Sequence, residues 1–324
     1  MIRASTLATW DDFEPGQTYS LGSFAVDLDE ARAFDAAFAA PGIGLRPSSM
    51  YLTARMMRAI TDGYLAKAAG LGAGGIDWVR WGATAAATGL RDGDILDATM
   101  TCIAKRPLAS RPGVGLVVIE QALKRTDGTL VLGWRSNQFL RLRDALIDVA
   151  STGARPTQTG PSETRGVRLA LAPNVTVLGA HTFRREEIIA FAARYDPQGF
   201  HLDDAAAARS MFGALCASGW HTCSVWHRLM SDELVRRAAF AKFAGRADER
   251  LGAESGPAEP SRVRLSGLAA LKWLRPVYVD ETVTFVAGAA ASDTGAGPTY
   301  ACRGLLADGT PVFEVDVLTE PSDL

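Results

Sequence analysis

The chain repeats one plan twice, and this repeat constrains the fold more than any other feature. Each half places a short β-like stretch after a proline, then a helix that begins with acidic residues, then a long and largely apolar helix. These segments are 15–19, 26–34 and 49–60 in the first half, and 173–177, 182–191 and 218–230 in the second. A helix that is apolar on most sides must be covered by other structure. Each half is therefore predicted to be an α+β unit, an antiparallel sheet wrapped round one central helix.

The strand signals and a linker divide the chain at its middle. Residues 92–104 and 279–291 alternate with a period near two, which is typical of strands, and Asp-Gly at 127–128 and 308–309 predicts a hairpin turn in each half. Residues 151–162 are polar and rich in Pro and Gly, which favours a linker; 254–260 is a second such loop. We predict a first domain over 1–148, a linker over 149–168 and a second domain over 169–324.

Composition excludes several classes of protein. The 324 residues suit two domains, and 48% apolar and 22% charged residues are ordinary for a globular protein. The net charge of −2 and the lack of a basic run argue against a nucleic-acid partner, and no apolar run is long enough for a membrane span. The N-terminal residues show no apolar signal-peptide core, so we expect a cytoplasmic protein.

Cysteine and histidine spacing does not indicate a metal site. The chain has four histidines and four cysteines without a CxxC pair, and we expect the cysteines to be free, buried thiols: Cys102, Cys216, Cys223 and Cys302. We expect no metal and no cofactor.

One short stretch carries the chemistry. Residues 194–203, RYDPQGFHLD, place Asp196 and His201 five apart around Pro197 and Gly199, which break the helix. The interruption lets the two side chains converge on one point, where a carboxylate and an imidazole can move the protons of a water molecule. Aligning the two halves puts alanine (position 39) and glycine (position 44) at these positions in the first half. The first half therefore lacks both acid–base groups.

The chain resembles the MaoC-like dehydratases, also called hydratase 2 or (R)-specific enoyl-CoA hydratases. The resemblance lies in the order of elements, in the segment Asp196-Pro197-Gln198-Gly199-Phe200-His201, and in the later Ala217-Ser218-Gly219. The family motif is Asp-x-Asn-Pro-hydrophobic-His, and here Gln198 stands for the Asn and Gly199 for the Pro. The resemblance covers nearly the whole chain. It implies a double hot-dog fold, two antiparallel sheets each wrapped round a long helix, with a degenerate first half that makes room for an acyl tail.

The resemblance implies a hydro-lyase that adds water to, or removes it from, the C2–C3 bond of an acyl-CoA thioester. Asp196 would orient the water and accept its proton, and His201 would hold the water from the other side. Ser218 and Gly219, at the start of the buried helix, would form the oxyanion hole, where helix N–H groups are unpaired. Ser224 is expected near the pocket serine of the family. The two halves should form an intrachain pseudo-dimer, and a homodimer is also possible.

Two other functions stay open at this point. A hot-dog thioesterase would need a carboxylate on or near the long helix, which carries none between 218 and 231. A non-catalytic acyl-CoA-binding protein would explain the departures at Gln198 and Gly199.

Three sets of residues also have two interpretations. The helix histidines belong to the core or to the pocket (His221 and His227). The methionines of the first-half helix pack in the core or line an acyl tunnel (Met50, Met56 and Met57). Three arginines meet CoA phosphates or solvent (Arg262, Arg264 and Arg275).

Overall fold

The structure is a computed structural model that describes residues 2–38, 48–65, 70–81, 89–145, 175–249, 262–289 and 300–322. The strands are β1 Ile2–Arg3, β2 Thr18–Ala25, β3 Gly70–Trp81, β4 Ile95–Pro107, β5 Val114–Arg125, β6 Leu130–Arg141, β7 Val175–Thr182, β8 Arg262–Trp273, β9 Thr282–Ala289, β10 Tyr300–Leu305 and β11 Pro311–Ser322. The α-helices are α1 Leu28–Phe38, α2 Ser49–Ile60, α3 Arg185–Tyr195, α4 Asp204–Ala208 and α5 Gly219–Glu249. A π-helical turn, Thr61–Leu65, follows α2, and a 3-10 turn, Gly199–His201, follows α3.

The described strands form one continuous sheet in the order β1-β2-β4-β5-β6-β3-β8-β11-β10-β9-β7. The first half supplies β1 to β6 and the second half β7 to β11, in mirrored order. The two expected sheets are joined edge to edge, because β3 and β8 pair antiparallel from Ile76↔Leu271 to Arg80↔Gly267. This pairing satisfies backbone groups that two separate edge strands would leave open. The double hot-dog fold class is confirmed.

The central helices lie in the core, as the apolar pattern predicts. Met50, Tyr51 and Met56 of α2 and Trp226 of α5 are at most 1% exposed. The central helix of the second half, α5, is longer than predicted and continues beyond Met230 to Glu249. Both predicted hairpin turns are present, between β5 and β6 and between β10 and β11.

An approximate twofold relation links the halves through equivalent arginines. Arg58 of α2 donates to the carbonyls of Ala193 and Arg194 at the end of α3, and Arg228 of α5 donates to the carbonyl of Ala36 near the end of α1. The two arginines occupy the same position, the tenth residue of each central helix. Each half therefore caps the other half's first helix, since cations are favoured at helix C-termini.

Several of the predicted segments lie outside the residues that the structure describes. These are the linker 149–168, the loop 254–260 and the alanine and glycine at 39 and 44. All four cysteines are free and buried, as predicted. No helix in the described part of the chain is long and apolar enough to cross a membrane.

Candidate active site

The helix break puts Asp196 and His201 on one short loop. Helix α3 ends at Tyr195, and the extended φ of −153° at Asp196 turns the chain out of the helix before Pro197. The 3-10 turn then returns His201, whose N–H donates to the carbonyl of Gln198 over 2.9 Å. Both residues are nearly inaccessible, at 3% and 5% exposure. The loop therefore brings the two predicted acid–base groups together, with Asp196 Oδ2 and His201 Nε2 3.6 Å apart.

The hydrogen bond on the far side of the ring sets the tautomer of His201. Nδ1 lies 2.7 Å from the carbonyl oxygen of Cys216, which can only accept, so Nδ1 carries the proton. In the neutral ring the lone pair of Nε2 then faces Asp196. Burial lowers the pKa of His201, against the opposing influence of the Asp196 charge, so the neutral ring is favoured near pH 7.

Three neutral donors hold the carboxylate of Asp196. Oδ1 accepts from Thr61 Oγ1 at 3.1 Å and from Gln198 Nε2 at 2.9 Å, and Oδ2 accepts from Ser218 Oγ at 2.7 Å. Hydrogen bonds to both oxygens of a carboxylate fix its orientation. Gln198, which departs from the family motif, therefore still orients the aspartate.

The start of α5 lies against the same carboxylate. The Ser218 hydroxyl that donates to Asp196 also accepts from the N–H of Trp220, and the first intrahelical bond runs from Thr222 N to Ser218 O. The N–H of Gly219 precedes that bond and has no acceptor within the helix. A β-carbon on Gly219 would lie 2.5 Å from the ring of Trp273, whose Nε1 donates to the Gly219 carbonyl. The glycine therefore accommodates the indole ring, in addition to lining the cavity.

Ser224 does not take the pocket position expected for it. Its hydroxyl donates to the carbonyl of Trp220 at 2.7 Å, one turn back along α5, and Ser224 is fully buried outside the cavity lining. A serine inside a helix commonly bonds the carbonyl four residues before it. This expectation is corrected.

A cavity of about 320 Å³ opens beside the pair and lies between the two halves. Such a volume lies within the range of small-molecule sites. Its second-half wall includes Asp196, His201, Gly219, Phe200, Phe212 and Trp220. Its first-half wall is mostly apolar and includes Met57, Ile60, Leu65, Ile76, Trp134 and Phe139. The first half therefore forms one side of the site although it lacks the acid–base pair.

Cys216 also lines the cavity, with its thiol 3.8 Å from Nδ1 of His201. Burial, and to a lesser degree the charge of Asp196, raises the pKa of this thiol to about 12. The thiol therefore stays protonated at neutral pH and is a poor nucleophile.

The residues with two interpretations are now placed. His221 and His227 lie outside the cavity lining; His221 stacks on Phe191 with ring centres 4.6 Å apart, and His227 Nδ1 lies 3.0 Å from the carbonyl of Phe38. Met57 lines the cavity, whereas Met50 and Met56 pack in the core.

Of the three arginines named from the sequence, Arg275 is the one whose side chain the structure describes. Arg275 lines the cavity but pairs with Glu281 at 2.9 Å, and the side chains at positions 262 and 264 lie outside the described residues. The exposed Arg111 of the β4–β5 turn lines the cavity and was not predicted.

Thr61 was also missed, because no local pattern connects a residue after α2 to an aspartate 135 positions later. Among the described residues no group of three or more His, Cys, Asp or Glu side chains is arranged to hold a metal ion.

Comparison with solved structures supports the fold. A MaoC domain protein from Chloroflexus aurantiacus matches over 99% of both chains at 13% identity, with a TM-score of 0.65. A MaoC-like dehydratase from Phytophthora capsici matches 95% of this chain and 97% of its own at 11% identity, with a TM-score of 0.53. A Mycobacterium tuberculosis protein described as a double hot dog matches 96% and 98% at 15% identity, with a TM-score of 0.53.

These likenesses confirm the double hot-dog fold and the structural resemblance to MaoC-like proteins. No family model matches the chain, and no curated protein matches it. At such identities the structural likeness extends to the fold and not to the reaction.

Proposed function

We propose that the protein is a hydro-lyase that adds water to the C2–C3 double bond of an enoyl thioester, or removes it from the 3-hydroxyacyl form. The observation that carries this proposal is the Asp196–His201 pair, which faces a largely apolar cavity beside the first turn of α5. The MaoC-like dehydratases among the structural neighbours make this chemistry a reasonable starting point.

A water molecule between Asp196 Oδ2 and His201 Nε2 can donate one hydrogen to each, since both atoms accept and lie 3.6 Å apart. As the water oxygen bonds to C3, one of its protons passes to this pair, which acts as one base. The electrons of the double bond move toward the thioester oxygen, and the pair returns the proton to C2. The carboxylate stabilises the imidazolium when the proton rests on His201.

The developing negative charge on the thioester oxygen needs a donor. The N–H of Gly219 at the start of α5 supplies one, in a position where the helix dipole also favours negative charge. One such donor typically contributes about 3 kcal/mol to the transition state. Ser218 acts through Asp196, because its hydroxyl is already donated to that carboxylate.

The cavity suits the acyl part of a coenzyme A thioester. Apolar side chains from both halves can surround a hydrocarbon chain, whereas the phosphates of coenzyme A must remain near solvent. The exposed Arg111 guanidinium lies at the cavity and is suited to contact a phosphate.

The two other functions have less support. Among the described cavity-lining residues Asp196 is the one carboxylate; Asp232 of α5 pairs with Arg228, and Glu233 with Arg236 and Arg237. A thioesterase would therefore have to use the same aspartate. Gln198 keeps the aspartate oriented, which removes the main reason to favour a non-catalytic binding protein.

The test follows the absorbance of the enoyl thioester as wild type is mixed with enoyl-CoA substrates of several chain lengths. We expect loss of absorbance with wild type and a fall in kcat of about 10²–10⁴-fold for Asp196→Asn and for His201→Ala. A matched control is His227→Ala, a buried histidine of α5 that lies outside the cavity.

Full hydration activity in both site variants would overturn the assignment. Release of free thiol from acyl-CoA, in place of hydration, would instead favour a thioesterase. Binding of acyl-CoA without turnover by wild type would favour a binding protein.

A further inference from the structure

Three neighbouring polar residues interrupt the apolar inner face of the first-half sheet. Gln121 of β5 and Ser136 and Gln138 of β6 are 1%, 1% and 9% exposed, and Ser136 and Gln138 line the cavity. The buried residues on either side along β6 are Trp134 and Leu140. Polar side chains in such surroundings are costly unless they are fully hydrogen-bonded. The mechanism proposed above uses none of them.

The equivalent strand of the second half, β11, has this feature only in part, because a buried polar residue, Thr319, stands where Gln138 does, but an apolar residue stands where Ser136 does. The strand pairing aligns Leu132 of β6 with Phe313 of β11. Leu132 pairs with the last residue of β3, and Phe313 pairs with the last residue of β8. Ser136 then corresponds to Val317, which is fully buried. The hot-dog fold therefore does not require a polar residue there.

The hydrogen bonds of the cluster have a defined direction. The hydroxyl of Tyr64 donates to Oε1 of Gln138, and burial raises the pKa of this phenol, so it keeps its proton. Nε2 of Gln138 therefore faces Ser136, whose Oγ accepts from it at 3.4 Å and from Nε2 of Gln121 at 2.8 Å.

Ser136 thus acts as the acceptor in both contacts, and its own O–H is left to donate. The second hydrogen on Nε2 of Gln138 is a further donor beside it. The cluster is also incomplete, because Oε1 of Gln121 is buried and has no hydrogen-bond partner in the described part of the chain. The cavity wall therefore presents donors at Ser136 and Gln138 that a wholly hydrocarbon chain cannot satisfy.

We propose that Ser136 and Gln138 form a subsite for an oxygen acceptor on the acyl chain, so that the preferred substrate is an oxygenated enoyl thioester and not a simple fatty enoyl thioester. This inference rests on the proposed function, because it assigns the acyl group that the cavity accepts. The polar head of coenzyme A does not suit this place, since the flanking inward-facing residues of β6, Trp134 and Leu140, are buried and apolar.

The test compares substrates of equal length: hept-2-enoyl-CoA, its 5-oxo and 6-oxo derivatives, and hept-2-enedioyl-CoA, which ends in a carboxylate. The readout is the ratio of kcat/KM for each oxygenated substrate to that for hept-2-enoyl-CoA. We expect a ratio above one for at least one oxygenated substrate in wild type. This ratio should fall about tenfold in Ser136→Ala and in Gln138→Leu, which corresponds to one lost hydrogen bond.

Ser231→Ala serves as the control, because Ser231 is a buried serine of α5 outside the cavity lining, and its ratio should equal that of wild type. Preference for the oxo substrates indicates a neutral acceptor, and preference for the dicarboxylic substrate indicates an anionic one. A ratio that is the same in wild type and both variants overturns the subsite.

Binding of saturated analogues separates this result from a failure of the proposed function. Calorimetry with heptanoyl-CoA, 5-oxoheptanoyl-CoA, 6-oxoheptanoyl-CoA and heptanedioyl-CoA needs no turnover. Tighter binding of an oxygenated analogue that Ser136→Ala removes supports the subsite even if no substrate is hydrated. Equal binding of all the analogues by wild type contradicts it.

Discussion

The first turns of the two central helices show one way in which the two halves differ. Helix α2 begins after Ser48, whose hydroxyl accepts from the N–H of Tyr51 and so acts as an N-cap. Helix α5 begins after Ser218, whose hydroxyl accepts from the N–H of Trp220 and also donates to Asp196. The same capping position therefore serves the helix alone in one half, and both the helix and the Asp196 carboxylate in the other.

The comparison also shows that the first half, which has no such acid–base pair in its sequence, still contributes to the candidate site. Thr61, just after α2, donates to the carboxylate of Asp196 in the second half. Met57 and Ile60 of the same helix line the cavity. One half supplies the proposed acid–base pair, while the other donates a hydrogen bond to Asp196 and forms part of the cavity wall.

The largest effect within this comparison is expected at the first helical residue, Gly219 in α5 and Ser49 in α2. A methyl group on Gly219 would lie 2.5 Å from the rigid indole of Trp273. We expect Gly219→Ala to lower the free energy of unfolding by about 3 kcal/mol, as overpacking does, and Ser49→Ala to change it by less than about 0.5 kcal/mol. Urea unfolding at pH 7 measures both. Equal effects would show that the indole contact does not distinguish the halves.

The third helical residue gives a pH-dependent difference. His221 in α5 corresponds to Tyr51 in α2, whose hydroxyl bonds Glu30, whereas Nδ1 of His221 is buried without a partner in the described residues. Burial lowers the pKa of His221 to about 3. Below pH 6.5 the unfolded chain therefore binds a proton that the folded chain does not bind until about pH 3. Stability is lost as the pH falls through this window.

Replacing His221 with phenylalanine keeps the stacking on Phe191 and removes the titrating ring. We expect the drop in unfolding free energy between pH 7 and pH 5 to be about 2 kcal/mol smaller in His221→Phe than in wild type. Urea unfolding at the two pH values measures it. The same drop in both proteins would mean that the buried ring takes up its proton without a penalty.

A smaller effect is expected at the thirteenth residue counted from the start of each central helix, which is Thr61 in the first half and Ser231 in the second. Thr61→Val removes one of three donors to Asp196 and keeps the side-chain shape. We expect kcat to fall about fivefold, as for one hydrogen bond of about 1 kcal/mol. Ser231→Ala is the counterpart outside the cavity and should keep the wild-type kcat in the same assay. A matching fall in both variants would point to general loosening of the helices.

The sequence predicts the fold and the reacting pair for different reasons. The repeat, the two apolar helices and the Asp-Gly turns are each local patterns, and together they predict two α+β units, each a sheet wrapped round one helix. The resemblance to the MaoC-like dehydratases adds the double hot-dog arrangement. Asp196 and His201 are also local, since one helix break places both on the same loop.

The parts that escaped prediction depend on contacts between distant residues. The hydrogen bond from Thr61 to Asp196 and the position of Ser136 in the cavity wall both depend on how the two halves pack. Residue spacing along the chain does not predict that packing. Ser224 was misplaced because its hydroxyl had a nearer acceptor, the carbonyl of Trp220. Gly219 was predicted for access by substrate, yet the ring of Trp273, 54 positions later, also requires it.

The antiparallel pairing of β3 with β8 has a consequence for how the proposed activity depends on protein concentration. A site built from two separate subunits comes apart when the solution is diluted, and its activity then falls more steeply than its concentration. Here both contributors belong to one polypeptide and one hydrogen-bonded sheet. Each molecule therefore contains both described walls of the candidate site, so the proposed activity per molecule should stay constant as the protein is diluted.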